Sequence, residues 1–409
     1  MAATQAAKRQ RRTLLLDKNR RPGIKILLSG GTRCNLTHDT DVRGVIEAFG
    51  PNGRFLHSAL AMLGPREVVA LFESEGMPTK VEPGGKVFPA SDRAADVLAI
   101  LERRVKQSGC EFALSEPLVE IVREDAQFLL KTTQRTLQAE KIVLATGGQS
   151  YPACGTTGDG YQWAAALGHT IVPPRTALTP ITSNTPWLTR LQGITMPDVW
   201  VQVIEPRSAE NTDSASPRRS SKKPVCLASR QGSLLFTHFG VSGPVILDVS
   251  RAVSQHAEPS KLVLRCDFVP QLREDDLEAE IARQSVSAGR RRIASLLDAW
   301  TPRRLAETIV EQSGIPLERT ASEFSKKERR QLAQTVKGLE IPVSGVMGFR
   351  KAEVTAGGVA LKEVDSHTMQ SRIVPGLFFA GELLDLDGPI GGYNFQAAFS
   401  TGWLAGESV

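Results

Sequence analysis

Two segments at opposite ends of this chain read as halves of one kind of site, and any fold that uses both must bring the termini together. Near the C-terminus, Val374 to Gly406 reads VPGLFFAGELLDLDGPIGGYNFQAAFSTGWLAG. A short apolar strand runs into Ala380-Gly381-Glu382, an acidic loop follows, and Gly391-Gly392 opens an Ala/Phe-rich helix carrying Asn394 and Gln396. Glycines let backbone approach a ligand closely, and the bare N–H groups at a helix start attract anionic or electron-rich atoms. Standing alone, such a turn is more often a packing device than a site. It does not stand alone: Thr13-Leu14-Leu15-Leu16 closes on Asp17, after an alanine-rich, basic, helix-favouring stretch from Ala2 to Arg12. An acid that ends the second strand of a dinucleotide fold accepts hydrogen bonds from the adenosine ribose.

Composition narrows the remaining choices. A length of 409 residues allows two or three domains, and 41% hydrophobic residues suffice for an ordinary core. No run approaches the roughly 20 apolar residues of a membrane span, and the basic N-terminus lacks the apolar region of a secretory signal. A cytoplasmic protein with no membrane partner is expected. Cys34, Cys110, Cys154, Cys226 and Cys266 are odd in number and contain no C-x-x-C pair, so neither a disulfide framework nor a metal site is expected. Much of the net charge of +6 lies in Lys8 to Arg21 and Arg218 to Lys223. A solvated face and a loop account for it, and no nucleic-acid partner is expected.

Along the chain the organisation is α/β with insertions. Lys25 to Leu28 has strand propensity and gives way to the polar loop Ser29 to Asn35. Helical patterns follow around Phe55 to Glu75 and Ser91 to Ser108, and then short alternating strands from Phe112 to Leu130. Ile142-Val143-Leu144 enters the glycine turn Ala145-Thr146-Gly147-Gly148, with a helix over Gly160 to Leu167. From Ala177 the stretches Val199 to Ile204, Leu234 to Thr237, Val245 to Val249 and Leu262 to Phe268 predict a barrel-like β insert. The Ser-rich segment 207–223 predicts a disordered loop. Asp275 to Lys337 is charged and helix-prone, with Leu277, Ile281, Ile293, Leu296, Leu297, Leu305, Ile309 and Leu332 as packing positions. The expected domains are therefore a discontinuous Rossmann-like domain over 1–176 and 355–409, a β-barrel-like insert over 177–270 and 339–354, and a small helical subdomain over 271–338.

SGGTRCNLTH at 29–38, ATGGQSYPACGTTGDGYQWAAALGH at 145–169, FTHFGVSGPVIL at 236–247, VTAGGVALKEVDSHTM at 354–369 and the terminal block from Pro375 carry a family resemblance. In order, from about Ala2 to Gly406, the chain resembles the BaiN-like NAD(P)/FAD-dependent oxidoreductases, a branch of the two-dinucleotide-binding flavoproteins. The resemblance implies FAD as cofactor, with Asp17 on its ribose. It implies that Ser29, Gly30, Gly31, Arg33, Cys34 and Asn35 lie along the cofactor near its diphosphate and flavin, and that Val119 meets adenine through its backbone. Ala145, Thr146 and Gly147 match the second glycine turn. Gly381, Glu382, Asp387, Gly392 and Tyr393 match the segment that closes over the ribityl chain and isoalloxazine, with Asn394 following. A helix starting at Gly391-Gly392 would stabilise negative charge on a reduced flavin by roughly 0.3 to 1 kcal/mol, up to about 2 when partly buried.

Two departures from the family pattern stand out. Thr32 occupies the place of a third glycine, which is tolerable where its φ is negative. The first strand and its glycine turn are absent before Met1, so an internal methionine and a start roughly 15 to 25 codons upstream are expected from ordinary strand lengths, with weak or absent FAD binding by the 409 residues as given. Two functions stay open on this reading. One is a flavin-dependent oxidoreductase that moves electrons between NAD(P)H or a small organic substrate and an acceptor through FAD. The other is a catalytically silent binding or scaffold protein with a truncated FAD site. No acid/base constellation emerges. His238 is weighed as an acid or base against a structural role, Cys34 as a redox thiol against packing, and Arg290-Arg291-Arg292 as an anion site against a solvated helix face. Substrate and oligomeric state are not legible.

Overall fold

The computed structural model describes residues 1–206 and 224–409, so the segment 207–223 lies outside the described residues. The chain divides into two compact units, Met1–Ala177 with Phe349–Val409, and Leu178–Gly348.

In the first unit the strand Leu14–Asp17 pairs in parallel with Glu111–Leu114, and Ile142–Leu144 pairs in parallel with Leu377–Phe379. Parallel strands need long crossovers, and here the chain between the paired strands runs through helices and further sheets. An antiparallel meander of Leu118–Glu124, Gln127–Thr132 and Thr136–Ala139 and the pair Ile171–Ala177 with Val354–Val359 complete the larger strands. Phe49, Phe128, Phe378 and Phe379 are fully buried in the core between them. His169 is buried edge-on against Phe379 at 4.7 Å, with Nε2 2.8 Å from Ser371 Oγ, and burial pulls its pKa down.

The termini are joined by two glycines one helical turn apart. The terminal helix Tyr393–Ser408 lies against the first helix Ala2–Lys8 because a Cβ at Gly406 would sit 2.4 Å from the Ala2 carbonyl oxygen, and one at Gly402 3.3 Å from Met1 Cβ. Arg9 and Glu407, 3.2 Å apart, tie the same two helices at the surface.

The second unit holds a seven-stranded antiparallel sheet. Its order is Leu339–Pro342, Val263–Asp267, Thr195–Glu205, Val225–Thr237, Gly240–Ser242, Ile181–Thr182 and Gly345–Val346. Helices Glu274–Ala288, Arg303–Gln312 and Lys326–Gly338 send Leu277, Ile281, Leu305, Ile309 and Leu332 into the same core as Val201, Val203 and Leu264. All eight packing positions expected in Asp275 to Lys337 are buried.

Three local expectations change. Lys25 to Leu28 is not a strand but part of the helix Ile24–Thr32, in which Ile26 and Leu27 pack inward and Leu28 stays 49% exposed. A short apolar run cannot tell a buried strand from a helix by itself. Val245 to Val249 belongs to the helix Pro244–Gln255, which buries Val245, Ile246, Val249 and Val253 at helical spacing after Gly243 and a proline at its first position. Its β-branched residues suggest a strand, and packing overrides that propensity. The stretch Gly50–Ser74 is apolar enough over its length to pass as a membrane span, yet half of its most apolar window is buried and the helix breaks at Leu63-Gly64.

Candidate functional site

The N-terminus of the terminal helix rests on the segment that follows the polar loop. Gly392 has φ +94, and a Cβ there would lie 2.4 Å from the Thr37 carbonyl oxygen. Only glycine fits against that backbone. The His38 ring stacks on Tyr393 at 4.6 Å, and its Nδ1 lies 3.1 Å from the Gly391 carbonyl, an arrangement in which Nδ1–H donates. Asn394 holds the preceding loop: its Oδ1 accepts from Gly388 N at 2.8 Å and its Nδ2 donates to the Gly388 carbonyl at 3.0 Å. Asp387 is buried in that loop. Two of the expected residues, Gly392 and Tyr393, thus meet Thr37 and His38, while Asp387 and Asn394 belong to the loop just before the helix.

A second junction is built on Glu382. Gly381, with φ +70, donates its N–H to Thr401 Oγ1 at 3.0 Å and turns the chain out of the strand Leu377–Phe379. The Glu382 carboxylate accepts from Thr355 N at 2.8 Å and from Lys25 Nζ at 2.5 Å. Thr355 Oγ1 in turn accepts from Gln149 N at 2.8 Å and Ser150 N at 3.1 Å, and a Cβ at Gly148 would lie 2.4 Å from it. One carboxylate therefore locks the helix Ile24–Thr32, the second glycine turn and the strand Val354–Val359 together. Ala145 and Thr146 remain exposed, and Thr146 Oγ1 is within 2.1 Å of where a Cβ at Gly160 would stand.

The polar loop behaves differently residue by residue. Ser29 breaks its helix with ψ 149, and its Oγ donates to the Ile26 carbonyl at 2.7 Å. Gly30 at φ +55 and Gly31 at φ +67 are followed by Thr32 at φ +70. The condition for tolerating threonine at that position, a negative φ, is not met. A β-branched residue in the left-handed region is strained. We expect Thr32→Gly to stabilise the protein by about 1 kcal/mol, since the left-handed region costs a non-glycine residue roughly 1 to 2 kcal/mol and glycine's looser unfolded chain gives part of that back. Urea unfolding measures it, and an unchanged or lower midpoint would show that the strain is not there.

Arg33 does not present a free charge. Its guanidinium lies 2.6 Å from Glu82 and 3.4 Å from Asp92, and 4.1 Å over the Phe88 ring. Cys34 is completely buried with φ +62, and burial pushes its thiol up to about 12. A thiol so placed stays protonated and packs, which argues for the packing role. Asn35 is buried with its Oδ1 lacking any hydrogen-bond partner. At the other end Asp17 accepts from Asn19 N at 2.8 Å, and burial raises its carboxyl above the usual range. Lys18 pairs with Asp159, and Asn19 Nδ2 donates to the Cys154 carbonyl at 3.1 Å, so the end of this strand is tied to the segment after the second glycine turn. The Val119 side chain is 53% exposed, and its carbonyl already accepts from Trp163 Nε1 at 3.2 Å. His238 is exposed on the hairpin turn of the second unit, edge-on to Phe239. Among the described residues no cluster of three or more His, Cys, Asp or Glu is placed to hold a metal ion.

The model for the HI0933-like protein Rossmann domain matches residues 1–408. The chain belongs to this family. Its HI0933-like relatives include the ribosomal RNA dihydrouridine synthase of Escherichia coli strain K12, 31% identical over 98% of this chain and 92% of that one. The ribosomal RNA dihydrouridine synthase of Haemophilus influenzae is 31% identical over 100% of this chain and 94% of its own. The 3-dehydro-bile acid delta(4,6)-reductase of Clostridium scindens is 28% identical over 97% and 92%. The fold is mixed α/β and the protein is a flavin-dependent oxidoreductase by family.

The residues present around the polar loop of this HI0933-like chain fit a cofactor such as FAD. A buried amide oxygen without a partner, Asn35 Oδ1, is an acceptor awaiting a donor, and buried polar groups in proteins rarely stay unsatisfied. Close by in the chain, a side chain at Gly31 would meet no atom within 4 Å, so backbone there is open to a ligand. Lys25, Thr37, His38 and Thr355 position the site and were not singled out by the sequence reading. His38 and Thr355 fall inside conspicuous motif blocks, whereas Lys25 is hidden in an apolar run and reaches Glu382 across 357 residues.

Proposed function

We propose that this chain is a flavin-dependent reductase that saturates a carbon–carbon double bond conjugated to a carbonyl, with uridine in ribosomal RNA as substrate and NAD(P)H as electron source. The observation that carries the reading is the end-to-end similarity to two ribosomal RNA dihydrouridine synthases. Dihydrouridine is uridine with hydrogen added across C5=C6, beside the C4 carbonyl. The name of the Clostridium relative describes kindred chemistry, reduction of double bonds in conjugation with a 3-oxo group. This reading replaces the expectation, drawn from the placement of lysines and arginines, that no nucleic acid is involved.

When bound, FAD supplies hydride transfer at its N5, and the protein supplies position and electrostatics. Asn35 Oδ1 offers an acceptor to a cofactor N–H or hydroxyl, and the exposed backbone at Gly30-Gly31 and Ala145-Thr146 allows close approach. Negative charge developing on a cofactor held at the start of the terminal helix would be stabilised by that helix's first N–H groups. Lys25, Glu382 and Thr355 keep the helix Ile24–Thr32, the second glycine turn and the strand Val354–Val359 in register.

The test is FAD-reconstituted protein incubated with ribosomal RNA transcribed in vitro and either NADH or NADPH, followed by nucleoside mass spectrometry. Dihydrouridine that depends on both FAD and a nicotinamide is the expected result. Protein that oxidises NAD(P)H with a small conjugated enone but leaves the RNA unmodified would overturn the RNA assignment and keep the reductase.

A further inference from the structure

Arg290, Arg291 and Arg292 are not on a helix face. The helix Glu274–Ala288 ends at Gly289, whose φ is +53, and the three arginines follow in the turn before Ile293–Leu297. That turn is clamped to a second strip of chain. Ser322 N donates to the Gly289 carbonyl at 2.9 Å, Ala321 N to the Arg291 carbonyl at 2.9 Å, and Ile293 N to the Arg319 carbonyl at 3.1 Å. The second strip runs directly into the helix Lys326–Gly338, whose first turns carry Lys326, Lys327 and Arg330.

All six of these cations are exposed, and none makes an ion pair with a described residue. Two of the acids nearby are already used, while Glu318 beside Arg319 is exposed. Glu323 and Glu328 close capping boxes with Thr320 and Ser325, and Glu328 also pairs with Arg319 at 3.2 Å. Arg329 donates to the Phe324 carbonyl at 2.6 Å. Arginines elsewhere on the surface commonly meet a carboxylate, as Arg43 meets Glu47, Arg273 meets Asp276 and Arg303 meets Glu307. The result is two backbone-tied strips in which cations outnumber carboxylates, with Val286 87% exposed one turn before the arginines.

We propose that this face of the Leu178–Gly348 unit docks the phosphate backbone of the RNA. The inference rests on the reading of ribosomal RNA as substrate. Arginine forks match phosphate oxygens in pairs, and lysines add point charge, so clustered cations without counter-charges are what a phosphate strand selects. The capped helix start and the three backbone bonds hold both strips in place before any RNA arrives.

The test compares the triple variant Arg290→Ala, Arg291→Ala, Arg292→Ala with a control triple, Arg43→Ala, Arg273→Ala, Arg303→Ala, which removes the same charge from paired arginines. Anisotropy of a labelled ribosomal RNA fragment is titrated from 50 to 200 mM KCl, and dihydrouridine yield and NAD(P)H oxidation with a small enone are measured alongside. Each lost phosphate contact lowers the salt slope by about 0.7 to 0.9, so the first triple should lose roughly 2 to 3 units of slope and about tenfold or more in affinity. The control triple should stay within twofold of wild type, and enone turnover should be unchanged in both, which shows that both fold. Wild-type binding and modification of RNA with an unchanged first triple would overturn the docking face alone. A wild-type protein that turns over the enone, yet neither binds nor modifies RNA, would overturn the RNA reading and the face with it.

Discussion

Gly392→Ala is expected to destabilise the protein by about 3 kcal/mol and to lower its affinity for FAD at least tenfold. Two penalties add at this position. A non-glycine residue held at φ +94 costs roughly 1 to 3 kcal/mol. The new Cβ would stand 2.4 Å from the Thr37 carbonyl oxygen, which is backbone and cannot swing away. Forcing atoms into a packed contact costs about 1 to 3 kcal/mol more, or shifts the helix start. Since Tyr393, His38 and the Asn394 loop hang on the same junction, the shift passes into the segment proposed to hold the flavin. Gly381→Ala separates the two penalties. Its φ is +70, but its Cβ would meet nothing nearer than Ala398 Cβ at 3.6 Å, so only the backbone cost of roughly 1 to 2 kcal/mol remains. Urea unfolding and FAD titration of both variants decide the matter. Equal losses, or an unchanged flavin content in Gly392→Ala, would remove the junction from the site.

Glu382→Ala should cost about 2 to 4 kcal/mol, while Glu382→Gln costs about 1. The alanine leaves the Thr355 N–H without its acceptor, a loss of roughly 1 to 3 kcal/mol for a buried donor, and leaves Lys25 unpaired. The ion pair itself is modest, because Lys25 and Glu382 side chains remain 28% and 19% exposed and solvent screens them, so about 1 kcal/mol is assigned to it. Glutamine keeps an oxygen for Thr355 but loses the charge and the oxygen that accepts from Lys25. Because Thr355 Oγ1 also receives Gln149 N and Ser150 N, the alanine variant should loosen the second glycine turn and weaken FAD binding about tenfold. Similar stabilities for the two variants would mean that the hydrogen bond does not hold the turn.

What the sequence revealed, and what it hid, divides along the range of the interactions. Local signals were legible. The strand ending at Asp17, the strand entering Thr146-Gly147, and the helix beginning at Gly392-Tyr393 all carry their turn chemistry within a few residues. The family resemblance was legible for the same reason, because its motifs are short and ordered. The glycine pair Gly402 and Gly406 passed unnoticed, since its purpose lies on the backbone of Ala2. The resemblance sets Arg33 along the cofactor, and nothing local in the sequence shows that Glu82 and Asp92, 49 and 59 residues away, pair with it. Lys25 in its apolar run gave no sign of Glu382. The backbone angle of Thr32 is set by the glycines before it, not by its own preference, and no propensity scale anticipates a positive φ there.

As proposed, this HI0933-like chain would hold FAD near the junctions of Gly392 and Glu382 and add hydrogen across the C5=C6 bond of uridine. The most direct test of this claim is anaerobic. FAD-reconstituted protein is reduced with one equivalent of NADPH or NADH and mixed with in-vitro ribosomal RNA in a stopped-flow instrument, and the flavin absorbance near 450 nm, a general property of oxidised flavin, is followed while the RNA is digested for mass spectrometry. The account predicts that the yellow absorbance returns on mixing and that one dihydrouridine forms for each flavin reoxidised. Flavin that stays reduced with RNA and reoxidises only when oxygen is admitted would contradict it.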